Sequence, residues 1–166
     1  GSIEMLWAEK TKDVFLDGYG PNDTLQIQVL APVPTIPGDP LSLPWFDDKG
    51  HTKNGNSIIL RLTYGMVSLL LGGDLNTLAE NHLLAHYGNG TQTFRAQVAK
   101  ACHHGSGDFT VEFLKAINAL ATVVSSGDDE TYGHPRPDSL GALGRHSEIE
   151  RPLIFSTELA RSAPEK

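Results

Sequence analysis

Lys100-Ala101-Cys102-His103-His104-Gly105-Ser106 sets two adjacent imidazoles and a small-residue turn where an apolar run stops. Imidazole changes charge near neutral pH and binds transition metals, so two of them on one loop suit proton transfer, metal binding or both. Upstream, Met66-Val67-Ser68-Leu69-Leu70-Leu71-Gly72-Gly73-Asp74 repeats the pattern, an apolar run ending in glycines and a carboxylate. A third copy, Ala121-Thr122-Val123-Val124-Ser125-Ser126-Gly127, is followed by Tyr132-Gly133-His134-Pro135. If each run is a strand of one sheet, its carboxyl end delivers a polar side chain to the edge where open α/β sheets bind ligands. Asp74, His103, His104 and His134 are therefore the candidate catalytic residues, with Asp74 and His103 as candidate metal ligands.

Each of these residues also has a purely structural role open to it. Asp74 could cap a helix starting near Asn76, its carboxylate accepting from free first-turn amides. His103 and His104 could simply bond loop backbone; on an extended segment neighbouring side chains point opposite ways, which leaves His103 to bind metal and His104 to orient substrate or support the loop. His134, in a rigid Gly-His-Pro loop, is either a turn residue or the group that protonates a leaving group. Ser106 and Ser126 lie in no Gly-x-Ser-x-Gly elbow and read as turn or supporting residues. His82 and His86 share a metal-compatible spacing but lack the glutamate of the zincin pattern, so a solvated helix face is expected. His51 could serve as a replacement ligand from the preceding loop. Asp128-Asp129-Glu130 reads as a solvated run able, in a metal cleft, to add a carboxylate. Histidine and aspartate ligation suits zinc, manganese or iron alike.

The elements that must position these groups follow from patterning. Asp13 to Leu16 and Thr24 to Leu30 form a hairpin about a Gly-Pro-Asn-Asp turn, and Ser57 to Thr63 and Met66 to Leu71 a second about Tyr64-Gly65, its latter strand apolar enough for burial on both faces. Between them, Ala31 to Gly55 carries Pro32, Pro34, Pro37, Pro40 and Pro44. A long loop without helix or central strand is expected there. Asn76 to His86 reads as an amphipathic helix with Leu75, Leu78, Ala79, Leu83 and Leu84 inward and Gly88 as its stop. Ala96 to Cys102, Ala121 to Ser125 and Pro152 to Thr157 read as strands. Thr110 to Ile117, capped by Thr110, and Pro137 to Gly144 read as helices. The fold class is α/β or α+β, a mixed sheet covered by helices.

A chain of 166 residues with 39% hydrophobic content is long enough for one core, so residues 1–160 are read as a single domain and 161–166 as a tail. A formal charge of −7 argues against a broad nucleic-acid surface. Cys102 stands alone, so no internal disulfide can form, and a cytoplasmic location is the default expectation. No apolar run has membrane-spanning length, and Gly1-Ser2 has the look of an expression scar that would hide any native start. Gly72-Gly73-Asp74 lacks the Gly-x-Gly-x-x-Gly run of a dinucleotide site, which disfavours a nucleotide-binding module.

Taken in order, Asn56-Ser57-Ile58-Ile59-Leu60-Arg61-Leu62, Leu70-Leu71-Gly72-Gly73-Asp74-Leu75, Ala99 to Ser106 and Tyr132-Gly133-His134-Pro135 resemble metallo-β-lactamase-superfamily hydrolases. The nearest branch is typified by the β-lactamase-like domain of ComEC-type DNA-uptake proteins, and the match runs from about Thr24 to Ser156. The resemblance implies an αββα sandwich with two metals, usually zinc, at the strand ends. It further implies that Asp74 bridges the metals and that His103 binds the second. This chain departs from the family in holding no His-x-His-x-Asp-His motif. A C-terminal part of the family's domain is therefore expected, with exposed apolar faces that another chain or copy covers. The activity implied is phosphodiester or phosphoester hydrolysis by a metal-activated water, on a small phosphoester or a nucleic acid. The alternative is a non-catalytic scaffold half that acts by assembling with a partner.

Overall fold

A computed structural model describes residues 7–8, 14–35, 42–88, 92–127 and 132–157. Seven strands form one mixed sheet in sequence order: β1 (Val14–Phe15), β2 (Leu25–Ala31), β3 (Ile59–Tyr64), β4 (Val67–Leu71), β5 (Val98–Lys100), β6 (Ala121–Val124) and β7 (Leu153–Ser156). The first four pair antiparallel, and β4 through β7 run parallel. Four helices accompany them: α1 (Lys49–Gly55), α2 (Thr77–Tyr87), α3 (Val111–Ile117) and α4 (Pro137–Arg145). The expected mixed sheet with helices is the fold observed. Asp13, Asp128-Asp129-Glu130 and the 161–166 tail lie outside the described residues.

Parallel strands need crossovers, and α2, α3 and α4 supply them. Each crossover begins at the carboxyl end of a strand, so the chemistry-bearing turns after β4, β5 and β6 share one sheet edge. The core forms where α2 and α3 meet one face of the sheet. Leu83, Ala79, Phe113 and Ile117 pack there with Ile59, Leu70, Ala99 and Phe94. Fully burying a side chain the size of Leu or Phe contributes about 1.5–3 kcal/mol, which is why these elements hold together.

Several expectations are corrected. The proline-rich stretch is not wholly loop: past Pro44, its last proline, α1 forms, with Asp48 capping it by accepting from the His51 amide at 2.8 Å. Prolines forbid helix only where they stand, and none lies between Asp48 and Gly55. Strand β5 stops at Lys100, because Cys102 to Gly105 form a 3-10 turn. Strand β4 is not buried on both faces: Ser68 and Leu70 are buried, whereas Val67 is more than half exposed. In α2, Leu78 faces outward and Glu80 takes its place on the buried side. His82 and His86 are not on a fully solvated face; they are half-buried, His82 edge-on to Phe46 at 5.8 Å and His86 to Tyr87 at 4.7 Å.

Cross-strand register makes the second face of the sheet nearly uniform. One row reads Ile27, Leu62, Leu69, Val98, Ala121, Leu153, and the next reads Val29, Leu60, Leu71, Lys100, Val123, Phe155. Leu153 and Phe155 are 50% and 56% exposed, and most of the others only half-buried. The one charge in these rows, Lys100, folds its ammonium onto the Gly73 and Ala101 carbonyls, 3.0 Å from each. Two of its three donors are thus met by backbone carbonyls, and the head stands 4.0 Å from Asp74 Oδ1.

Candidate functional site

Three turns at the carboxyl edge build the site. After β4, Gly73 adopts φ 54°, and a Cβ there would stand 2.6 Å from the Ser57 Cβ. Only glycine fits, and the tight turn lets the Asp74 amide donate to Ser57 Oγ at 3.0 Å while its side chain projects outward. Asp74 does not cap α2. Asn76 does, its Oδ1 accepting from the Ala79 amide at 3.1 Å, which leaves the carboxylate for other work.

After β5, His103 and His104 take left-handed conformations, with φ 44° and 54°. Non-glycine residues adopt these only when surroundings impose them, and such residues concentrate at functional sites. The His103 amide donates to the Gly73 carbonyl at 3.1 Å, the Ser106 amide to the His103 carbonyl at 2.8 Å, and the Arg136 amide to the Gly105 carbonyl at 2.8 Å. The premise that His103 and His104 sit on an extended segment and point apart is therefore overturned. Successive left-handed residues curl the chain, and both imidazoles face one cleft.

His104 stands closest to Asp74, with Nε2 3.3 Å from Oδ1. Its Nδ1 lies 2.5 Å from the Ser125 carbonyl, an oxygen that can only accept, so Nδ1 carries a proton. Its Nε2 is left beside the Asp74 carboxylate, and an Nδ1–H bonded to a backbone carbonyl is the outer-bond arrangement of metal-binding histidines. His103 places Nε2 3.4 Å from Asn54 Nδ2, and its Nδ1 is buried without a hydrogen-bond partner among the described residues. Burial of the ring holds its pKa below the usual histidine range, with nearby Asp74 opposing the shift. His134 meets His103 edge-on at 5.5 Å and stacks on Tyr132 at 6.0 Å.

Together these residues line an open cleft of about 620 Å³, the size of a small-ligand site. Asp74, His103, His104, His134 and Ser106 all reach it, as does His51. Ser126 does not; its amide donates to Thr157 Oγ1 at 3.0 Å. The sequence reading missed Asp48, Asn54 and Asp108, which line the same cleft with His51. The Asp-x-x-His spacing of a helix cap was the available signal for Asp48, whereas Asp108 had none. Cys102 is no nucleophile here, because burial pushes its thiol well above the usual cysteine range.

The donor set suits a cation bound by nitrogen and oxygen, and Asp74 with His104 offers the nearest pair. Among the described residues, the only three such side chains whose ligand atoms all lie within 4.8 Å of one another are Asp47, Asp48 and His51. Both Asp48 oxygens are already occupied by His51, one by its amide and one by its ring. Among the described residues Asp74 and His104 approach as a pair and no third such side chain joins them within that distance, so neither a three-ligand site nor the two-ion site that the family resemblance implies is assembled there.

Fold and cleft together define a mixed α/β protein whose sheet edge gathers one carboxylate and three imidazoles. In sequence it is similar to ComE operon protein 3 of Bacillus subtilis (strain 168), at 30% identity over 150 residues, 87% of this chain and 17% of that protein. It is also similar to Competence protein ComA of Neisseria gonorrhoeae, at 39% identity over 88 residues, 52% of this chain and 12% of that protein. The chain thus spans less than a fifth of either relative, and the relationship is ComEC-like. No family model matches it. Among the described residues no helix is long and apolar enough to cross a membrane.

Proposed function

We propose that this chain carries the hydrolytic site of a competence-protein relative and cleaves phosphodiesters or phosphoesters with the help of a bound cation. The observation that carries this reading is the pair Asp74 and His104 in one cleft, with the protonated Nδ1 of His104 turning Nε2 toward Oδ1. Asp74 and His104 would hold the ion, with His103 beside them in the cleft, zinc being the first choice and manganese or iron suiting the same donors. Such an ion, when bound, acidifies water and offsets charge on an electrophilic phosphoryl group. The chain's own part is to fix the ligands on a rigid edge and to orient the ester against His134 and the other side chains that line the cleft. A phosphodiester agrees with the resemblance to DNA-uptake proteins, and the formal charge of −7 favours a small one over a long polyanion.

The test uses the full chain with added zinc and bis(p-nitrophenyl) phosphate. Zinc at ~1 equivalent per chain and metal-dependent turnover are expected. Asp74→Ala should lose both, and full turnover in that variant would exclude the assignment.

A second reading is favoured by the open apolar face. Here the chain is a scaffold half whose face of Leu62, Leu69, Leu153 and Phe155 docks against another chain or a second copy. Purification without zinc, no metal uptake on addition and a tight complex would support this reading over the first.

A further inference from the structure

His51 lines the same cleft as Asp74, and its setting differs from that of the other imidazoles. Asp48 grips it twice. One oxygen accepts from the backbone amide at 2.8 Å, and the other lies 2.9 Å from ring Nδ1. The His51 carbonyl accepts from Asn76 Nδ2 at 2.9 Å, and Asn76 is the buried cap of α2. Backbone and ring are therefore both located, and the remaining ring nitrogen, Nε2, faces the cleft. Its nearest carboxylate there is Asp108 Oδ2, at 3.7 Å, beyond hydrogen-bond length. Asp108 is itself fixed, since its Oδ1 accepts from the Thr77 amide at 3.1 Å. The first turn of α2 thus anchors both residues.

Resting on the hydrolase reading above, we propose that His51, oriented by Asp48, is the proton donor to the leaving group in this cleft. A carboxylate 2.9 Å from one ring nitrogen, in ion-pair contact, favours a proton there and leaves the other nitrogen for proton transfer. Three carboxylates face the ring, Asp47 and Asp48 from its own segment and Asp108 from the loop before α3. The Asp48 hydrogen bond first, and then the charges of Asp48, Asp108 and Asp47, raise its pKa above the usual histidine range. His103, by contrast, is held low by burial.

The step balances as follows in a phosphodiester. Water oxygen bonds to phosphorus as the bond from phosphorus to the leaving alcohol's oxygen breaks, and the Nε2 proton passes to that oxygen to release a neutral alcohol. Both protons of the water go to solvent, one of them replacing the proton His51 gave.

Two measurements on the full zinc-loaded chain decide the matter. Cleavage is followed for bis(p-nitrophenyl) phosphate, whose leaving group departs readily without a proton, and for a dinucleoside phosphate, whose alkoxide does not. His51→Gln should slow the dinucleotide by roughly 10²- to 10⁴-fold and the activated ester by about tenfold or less, with KM little changed. Equal losses on both esters, or none on either, overturn the proposal. The second measurement is NMR titration of the ring: His51 should titrate above an ordinary histidine and fall back in Asp48→Asn. An ordinary titration unmoved by Asp48→Asn also overturns it. Absence of turnover on both esters in the zinc-loaded parent sinks the hydrolase reading itself and the leaving-group role with it, whereas a substrate-independent loss in His51→Gln sinks only the role.

Discussion

The two faces of the sheet invert the usual expectation for a half-covered sheet. The helix-covered face carries Ser68, Thr122 and Arg61 among its apolar residues, and two of those polar groups are buried. The other face is apolar along two cross-strand rows apart from Lys100, yet Leu153, Phe155 and Val67 remain half exposed. Ser68 and Arg61 are tolerated on this face because both find partners, Arg61 Nε donating to the Arg95 carbonyl at 3.0 Å. Ser68 Oγ lies 2.9 Å from Gln97 Oε1. An apolar face of this extent is expected to be covered in the working protein, and the lone lysine with its head already bonded fits a surface meant to become dry.

The largest effect is expected on the covered face. Leu70 is fully buried, and Leu70→Ala should cost about 2–5 kcal/mol in a urea-unfolding experiment, with the slope unchanged. A cost below about 1 kcal/mol would mean that this face is packed no better than the open one.

Next comes Glu80, a fully buried carboxyl whose Oε2 accepts from the amide and the hydroxyl of Thr110. Burial raises its pKa to about 7, against the opposing pull of those two bonds. The folded state therefore keeps its proton after the unfolded chain has lost it. The associated stability is complete below about pH 4.5 and disappears as pH rises through about 7, by at most about 3 kcal/mol. Glu80→Gln should flatten that slope, and unfolding free energies measured from pH 4 to 8 that remain parallel to the parent's would contradict it.

Smallest in stability is Phe155→Ser on the open face, expected to shift unfolding by about 0.5 kcal/mol or less. Its effect should appear in sedimentation instead, as weaker association. If Phe155→Ser instead costs as much as Leu70→Ala, the contrast between the faces fails.

A comparable division runs through the cleft. Alternation and glycine placement disclosed the strands, their carboxyl ends and thus the Asp74 and His103-His104 edge, because a sheet's periodicity is local. Helix α1 was hidden by the prolines before it, and with it went the cleft lining of Asp48, His51 and Asn54. The reading of His103 over His104 assumed an extended backbone, and local sequence could not reveal the left-handed pair. Those conformations are imposed by bonds to Gly73, Ser125 and Arg136, all distant along the chain.

The sequence by itself determined seven strands' worth of patterning, the glycine turn before Asp74, the cap at Thr110, and a formal charge of −7. Each is set by residues within a few positions of one another, where steric preference and hydrogen-bond reach operate. Which imidazole meets the carboxylate, which helix joins the cleft lining and which sheet face stays uncovered were decided only by tertiary structure. Those outcomes depend on packing between segments tens of residues apart, and no local preference encodes that geometry.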